Sequence, residues 1–478
     1  MNEKIKEFVQ NNKLFTVAMG LYCLITLCRL FTHTPWFDEA HAYTIAEQLG
    51  FVDMLKYVKN EGHFFLWQTL LYPFAKLHLY PYPMLILNWL FCTLALVLMW
   101  RKAKFDARLK VLITFSSPII WCYSLIARCY SLGILFLFLL AWLFDKKLQY
   151  PKTYALLLIL SANTSIVGLI ATTAFGILFL VDLIKSKKLD LKNVIGVSSI
   201  LFFGTVIILY QLLNIGYWDS TVGHRTLHIS VKIFRNTFVY DRLLVNLMLL
   251  GLFAVPILKY FWNNKKVSFF IGFSSFFLLV LSMGVYPCHY WHTYFFYIFL
   301  IISFWLMNDE DFGKNLKRNA WISFGVMSLI LIFHTPQMPN YSFIYKSYTK
   351  DLIKFIETDD SLKNSQIIQN DGLIYEMSPY SYGKSFKVRN YCNVKQKTEY
   401  DLWNISTQIC PTENAMWQAR RHPQVLSEIV DGNTYTYIKE SKVETVEKTV
   451  TIKTENADFK FDKYKCFREY CFWKITKK

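Results

Sequence analysis

Residues 111–144 read VLITFSSPIIWCYSLIARCYSLGILFLFLLAWLF, apolar throughout except for Arg128 near the middle. A block of about 32 residues makes a helix of about 48 Å, well beyond the roughly 30 Å hydrocarbon core of a bilayer. Basic clusters flank it on both sides, Arg101 to Lys110 before it and Lys146, Lys147 and Lys152 after it. A single crossing would leave one cluster on each side of the membrane. A tight helical hairpin keeps both on the cytoplasmic side and sets Arg128 at the outer tip. Residues 153–184 repeat the pattern, with SANTS in the middle and Asn163 at the tip. The pair 267–286 and 289–307 turns the same way at YPCHYWH, which carries His289 and His292.

The rest of the chain fits that reading. Of 478 residues, 54% are hydrophobic and 18% aromatic but only 18% charged, the balance of a polytopic membrane protein. The length rule predicts eleven spans, at 14–31, 83–100, 109–125, 129–144, 153–164, 166–184, 194–212, 243–261, 267–286, 289–307 and 320–334. The first has no small-residue cleavage site after it and reads as a retained helix. Residues 63–80, interrupted by Pro73, Lys76 and His78, read as a helix lying along the interface. A net charge of +18 is compatible with nucleic-acid binding, but the lysines and arginines sit in short clusters between apolar runs and therefore speak of topology. One set of connections holds 21 of them and the opposite set 8, which predicts a plasma (inner) membrane protein with its amino terminus in the cytoplasm.

The division expected is a membrane part at 1–334 and an extracytoplasmic α/β domain at 335–478, with a helix at YTKDLIKFIE and a strand within VEKTVTIKT. This tail carries Cys392, Cys410, Cys466 and Cys471, for which an oxidising compartment allows three pairings. Cys23, Cys28, Cys92, Cys122 and Cys129 lie in or near spans and read as small apolar residues. No cysteine or histidine spacing has the form of a zinc site.

With this topology, chemistry gathers on the outer face. The first outer loop, FTHTPWFDEAHAY, supplies Asp38, Glu39 and His41, and His63 opens the interfacial helix. Arg128 and Tyr130, Asn163, and His289 with His292 occupy three hairpin tips, and a long outer loop adds His224, Arg225 and Arg235. A carboxylate can take a proton from an attacking hydroxyl, arginine and histidine can hold a departing phosphate, and aromatic rings face both lipid and sugar. WFDEAHAY after the first helix resembles the Asp-Glu signature of the GT-C class of integral-membrane glycosyltransferases, in the style of the protein O-mannosyltransferase and aminoarabinose transferase families. GHFFLWQTLLYPFAKL is similar to their interfacial segment, without the prolines that follow its histidine, and YSLIARCYSLGILF resembles their Arg-x-Tyr tip. The resemblance implies an inverting transfer of a sugar from a polyprenyl-phosphate donor to a lipid, glycan or protein acceptor, with Asp38 or Glu39 as general base and the other in support. Some members of the class need a divalent cation and others do not; the sequence places none and calls for no other cofactor.

Simpler readings stand beside each of these. Asp38 and Glu39 would also cap the helix that follows. Arg128 would also be a snorkelling interfacial arginine, Tyr130 an aromatic-belt residue, and His63 and Asn163 ordinary residues of a helix start and a turn. Arg225 and its neighbours would neutralise lipid headgroups. For the whole chain the rivals are a lipid or glycolipid transporter, which should show ionisable or broken helices near the midplane, and a membrane-anchored scaffold.

Overall fold

The computed structural model describes residues 3–57, 63–186, 190–213, 254–285, 288–307, 314–333, 349–369, 372–381, 383–390, 430–439, 449–454, 458–468 and 470–477. The chain forms two compact units. The first comprises residues 1–32, 61–67 and 85–345, and the second residues 33–60, 68–84 and 346–478. The second unit thus takes in most of the loop after the first helix along with the tail.

The first unit is helical. Among the described residues six helices are long and apolar enough to cross a membrane: Asn12–Thr32, Tyr82–Lys102, Ile166–Ser186, Leu191–Leu213, Lys265–Met283 and Asn315–Phe333. They leave large apolar side chains outward. On Leu191–Leu213, Phe202, Phe203 and Val206 are exposed, Phe203 to 65%. Such a surface is stable against lipid and not against water.

Among the described residues the expected count of eleven spans is not reached, and the shortfall has physical causes. Ser116, Ser117 and Pro118 end the helix Ala107–Phe115, because proline has no N–H to donate and crowds the preceding turn. A π-helical turn, Pro118–Tyr123, and an irregular stretch through Arg128 follow before the helix Tyr130–Leu143. That helix has 14 residues and Pro151–Ala162 has 12, so each is about 18–21 Å long and too short to cross the hydrocarbon core alone. The turn at His289 leads through the short helix Tyr290–Thr293 into Phe295–Leu306, again 12 residues. Residues 243–253 of the span expected at 243–261 lie outside the described residues.

The hairpin expected at 153–184 is broken at its SANTS tip, and its two helices, Pro151–Ala162 and Ile166–Ser186, pack on each other. At the tip Thr164 Oγ1 donates to Ser161 O (2.7 Å), meeting a carbonyl at the helix end, and Thr172 Oγ1 donates to Ser161 Oγ (2.7 Å), tying the two helices together. Gly168 is required there: a Cβ on it would lie 2.6 Å from Thr164 Oγ1 and 3.1 Å from Ser161 O.

The second unit holds a sheet of six strands: β1 (Gln366–Gln369), β2 (Lys387–Asn390), β3 (Thr434–Lys439), β4 (Thr449–Ile452), β5 (Phe459–Phe467) and β6 (Tyr470–Lys477). Their order is β2-β1-β3-β6-β5-β4. β1 lies parallel to β2 and β3, and the remaining pairs are antiparallel. The tail helix Thr349–Thr358 turns Leu352, Ile353 and Ile356 inward, a spacing that keeps one helical face apolar. They pack with Ile367, Val388, Tyr437 and Phe472 of the sheet and with Met377 of a second helix, Gly372–Ser381. A disulfide joins Cys466 and Cys471, partners in the β5–β6 register. Cys392 and Cys410 lie outside the described residues.

Candidate functional site

Within the first unit, the segment opening at His63 is threaded among the helix ends. His63 forms an isolated bridge with Ser165, and the Phe65 N–H donates to Gln211 Oε1 (3.0 Å). Gln211 Nε2 in turn donates to Asn163 Oδ1 (2.9 Å). The Gln211 amide, near the end of the helix Leu191–Leu213, therefore ties the His63 segment to the hairpin tip. Gln211 was missing from the sequence-derived set, although a lone amide in a span is itself a signal of interhelical hydrogen bonding.

Arg128, 6% exposed, sits in the irregular stretch ahead of Tyr130, where no continuous helix carries it away from the tip. His63 is packed edge-on to the Tyr130 ring, centroids 5.7 Å apart, and its Nδ1 lies 3.6 Å from Cys129 Sγ. Burial, and then the Arg128 guanidinium beside it, hold the His63 imidazole well below its ordinary pKa, so the ring is neutral. Tyr130 Oη meets His292 Nε2 at 2.9 Å. The His289 N–H donates to His292 Nδ1 (3.2 Å), so a neutral His292 carries its proton on Nε2 and donates it to Tyr130. The His289 ring stacks on Trp291 at 4.6 Å. One permanent cation beside two imidazoles and a phenol is a donor set suited to an oxyanion such as phosphate.

In the second unit, the helix Phe37–Gln48 begins at the acidic pair, with Asp38 and Glu39 both in its first turn. Glu39 is fully buried. Its carboxylate accepts from the Trp36 N–H (3.0 Å) and meets His33 Nε2 at 3.0 Å, so it closes the helix start in the manner of the acidic half of a capping box. Asp38 is partly exposed on the same turn. The two adjacent carboxylates thus have different surroundings. His41 is buried, edge-on to Tyr57 at 6.3 Å.

Further along the helix Phe37–Gln48, Glu47 is 4% exposed. Burial, opposed by Lys76, pushes its carboxyl up to about 8. His78, whose Nδ1 lies 3.2 Å from Glu47 Oε1, is pushed down by burial and then by Lys76. Distance alone suggests an ion pair, but burial drives both groups toward their neutral forms. Lys76 Nζ donates to the Glu47 backbone carbonyl (2.7 Å).

The helix Gly372–Ser381 of the tail packs against Phe37–Gln48. Tyr380 meets Tyr80 edge-on at 4.8 Å. Burial first, then Tyr380, Glu39, Glu376 and Glu47, push the Tyr80 phenol well above its ordinary value. Glu376 Oε2 accepts from Thr349 Oγ1 (2.8 Å). Neither Glu376 nor Tyr380 stood out in the sequence, because the tail offers no motif and only packing brings them to the first-loop helix.

Of the expected residues, His63, Arg128, Tyr130, Asn163, His289 and His292 belong to the first unit, and Asp38, Glu39 and His41 to the second. His224, Arg225 and Arg235 lie outside the described residues. Among the described residues no group of three or more histidines, cysteines or carboxylates is arranged to hold a metal ion. No family model matches the chain, and no curated protein matches it in sequence.

Proposed function

We propose that the chain is a membrane glycosyltransferase that moves a sugar from a polyprenyl-phosphate donor to an acceptor hydroxyl on the extracytoplasmic face. The observation that carries this reading is the cluster of buried Arg128, Tyr130 and His292 with half-buried His63, three separate chain segments converging on a donor set that suits a phosphate in a helical membrane unit. The arginine fork gives two parallel hydrogen bonds to phosphate oxygens and balances the charge that grows as polyprenyl phosphate leaves. The neutral His63 ring beside Arg128 adds no second full cation that would trap the product.

Asp38 is the general base in this proposal. It is partly exposed and so open to an acceptor hydroxyl, whereas Glu39 is fully buried. Asp38 takes the acceptor proton as the hydroxyl attacks the anomeric carbon from the side opposite the phosphate, so the new glycosidic bond forms, the carbon–oxygen bond to phosphate breaks, and configuration inverts. The orientation with the amino terminus in the cytoplasm and the tail outside, and the count of spans beyond six, belong to this proposal and rest on the basic clusters.

The test is transfer of labelled sugar from polyprenyl-phosphate donors in membranes, with protein amount checked. Asp38→Asn should reduce transfer by about 10²–10⁴. Arg128→Lys keeps the charge but not the fork, and should weaken donor use. Wild-type transfer in both variants, or no transfer by the wild type from any polyprenyl-phosphate sugar, overturns the reading.

A further inference from the structure

A second polar site lies in the first unit, at the other end of helices that begin beside the Arg128 cluster. Tyr130–Leu143 starts next to Arg128 and runs into Phe144 and Lys147, and Ile166–Ser186 starts at the Asn163 tip and ends past Asp182. The latter has 21 residues, so its ends are about 31 Å apart, about one hydrocarbon core. There a cavity of 410 Å³ opens, lined by Lys147, Lys185 and Lys266 and by Asp145 and Asp182 among others.

The charges are unevenly matched. Lys147 Nζ and Lys266 Nζ both meet the same oxygen, Asp182 Oδ2, at 2.8 and 2.7 Å. One carboxylate cannot neutralise two ammonium groups. Lys147 is the better held, with its side chain 6% exposed, its Nζ 3.7 Å from the Phe144 ring centre, and a bond of 2.9 Å to the Phe144 carbonyl. Lys266 is half exposed and carries the surplus charge toward the cavity. Across the whole lining three lysines face two aspartates, an excess of one positive charge. That excess matches a phosphodiester, which carries one negative charge.

The remaining walls separate a lipid from a free anion. Phe144, Leu148, Val267 and Leu306 line the same cavity and give a headgroup's glycerol and first methylenes an apolar wall. Inorganic phosphate would make no use of them. At the ends of membrane-spanning helices a phosphodiester in the lipid headgroup layer is also at the right depth.

We propose that this cavity binds the phosphodiester of an anionic membrane lipid, with Lys266 and Lys185 as the cations that meet it and the Lys147–Asp182 pair as the fixed wall behind them. The site is independent of the proposed transfer reaction and is tested without it.

The experiment titrates purified full-length protein in neutral detergent with phosphatidylglycerol, phosphatidylcholine, glycerol 3-phosphate or sodium phosphate, and follows thermal unfolding. Phosphatidylglycerol should raise the melting temperature saturably, because a ligand that binds only the folded state stabilises it. Lys266→Gln leaves the buried Lys147–Asp182 pair in place and should raise the half-saturating concentration about fivefold, as should Lys185→Gln. Asp145→Asn increases the positive excess and should lower it. Equal protection by phosphatidylcholine, or unchanged half-saturation in both lysine variants, overturns the proposal. Equal protection by sodium phosphate or glycerol 3-phosphate assigns the cavity to a free phosphate and overturns the lipid.

Discussion

Replacing Glu39 with alanine should unfold the second unit far more readily than replacing its neighbour Asp38. Glu39 is fully buried and serves two partners, the Trp36 N–H at 3.0 Å and His33 at 3.0 Å. A hydrogen bond to a charged group contributes about 1.5–3 kcal/mol, and Glu39 makes one with each of these two partners. A loss of about 3–5 kcal/mol is a large share of the roughly 5–15 kcal/mol that holds a domain folded. At about 2–4 °C per kcal/mol for a unit of this size, the melting temperature should fall by about 10 °C. Asp38 is partly exposed, and Asp38→Asn keeps its shape while removing a charge placed favourably at a helix start, worth about 0.3–1 kcal/mol. The assay is thermal unfolding of both purified variants in the same detergent at pH 7, with sugar transfer measured alongside. Asp38→Asn should be folded and inactive. Equal melting temperatures in the two variants, or a larger fall for Asp38→Asn, would refute the division of roles.

Further outcomes follow from the same geometry. Glu47 has its folded pKa raised from 4.5 to about 8, so its contribution is least unfavourable at low pH and worsens as pH rises through that window. Wild-type stability should therefore decline between about pH 5 and 8 by on the order of a few kcal/mol, and Glu47→Gln should flatten the slope; an unchanged pH profile of chemical denaturation would remove the buried acid from the account. Gly168→Ala should destabilise by about 1–3 kcal/mol through overpacking at the hairpin tip, while Gly176→Ala on the same helix, with open space at its Cβ, should be neutral or stabilising by up to about 1 kcal/mol. Equal melting temperatures for the two glycine variants would contradict the tight tip. Thiol alkylation of the native protein should leave Cys466 and Cys471 unlabelled until a reductant is added; their labelling without reductant would deny the disulfide.

The amino-acid sequence by itself determined that the chain is a helical membrane protein with a polar tail, because a run of about 20 apolar residues in an otherwise charged chain has one good solvent, the bilayer. It also determined the tail's helix, set by the spacing of Leu352, Ile353 and Ile356, and the breaks at Arg128 and Asn163, set by length against bilayer thickness. Tertiary structure decided how many helices are long enough to span, since Ser116 to Pro118 shortens a run that hydropathy treats as continuous. It also decided the separate surroundings of Asp38 and Glu39, which adjacent carboxylates cannot reveal until His33 and Trp36 are placed against one of them. Gln211, Glu376 and the Lys147–Asp182–Lys266 triad became visible only in three dimensions. Each depends on partners dozens of residues or more away, and such pairings are set by packing, which hydrophobic periodicity along one segment does not encode.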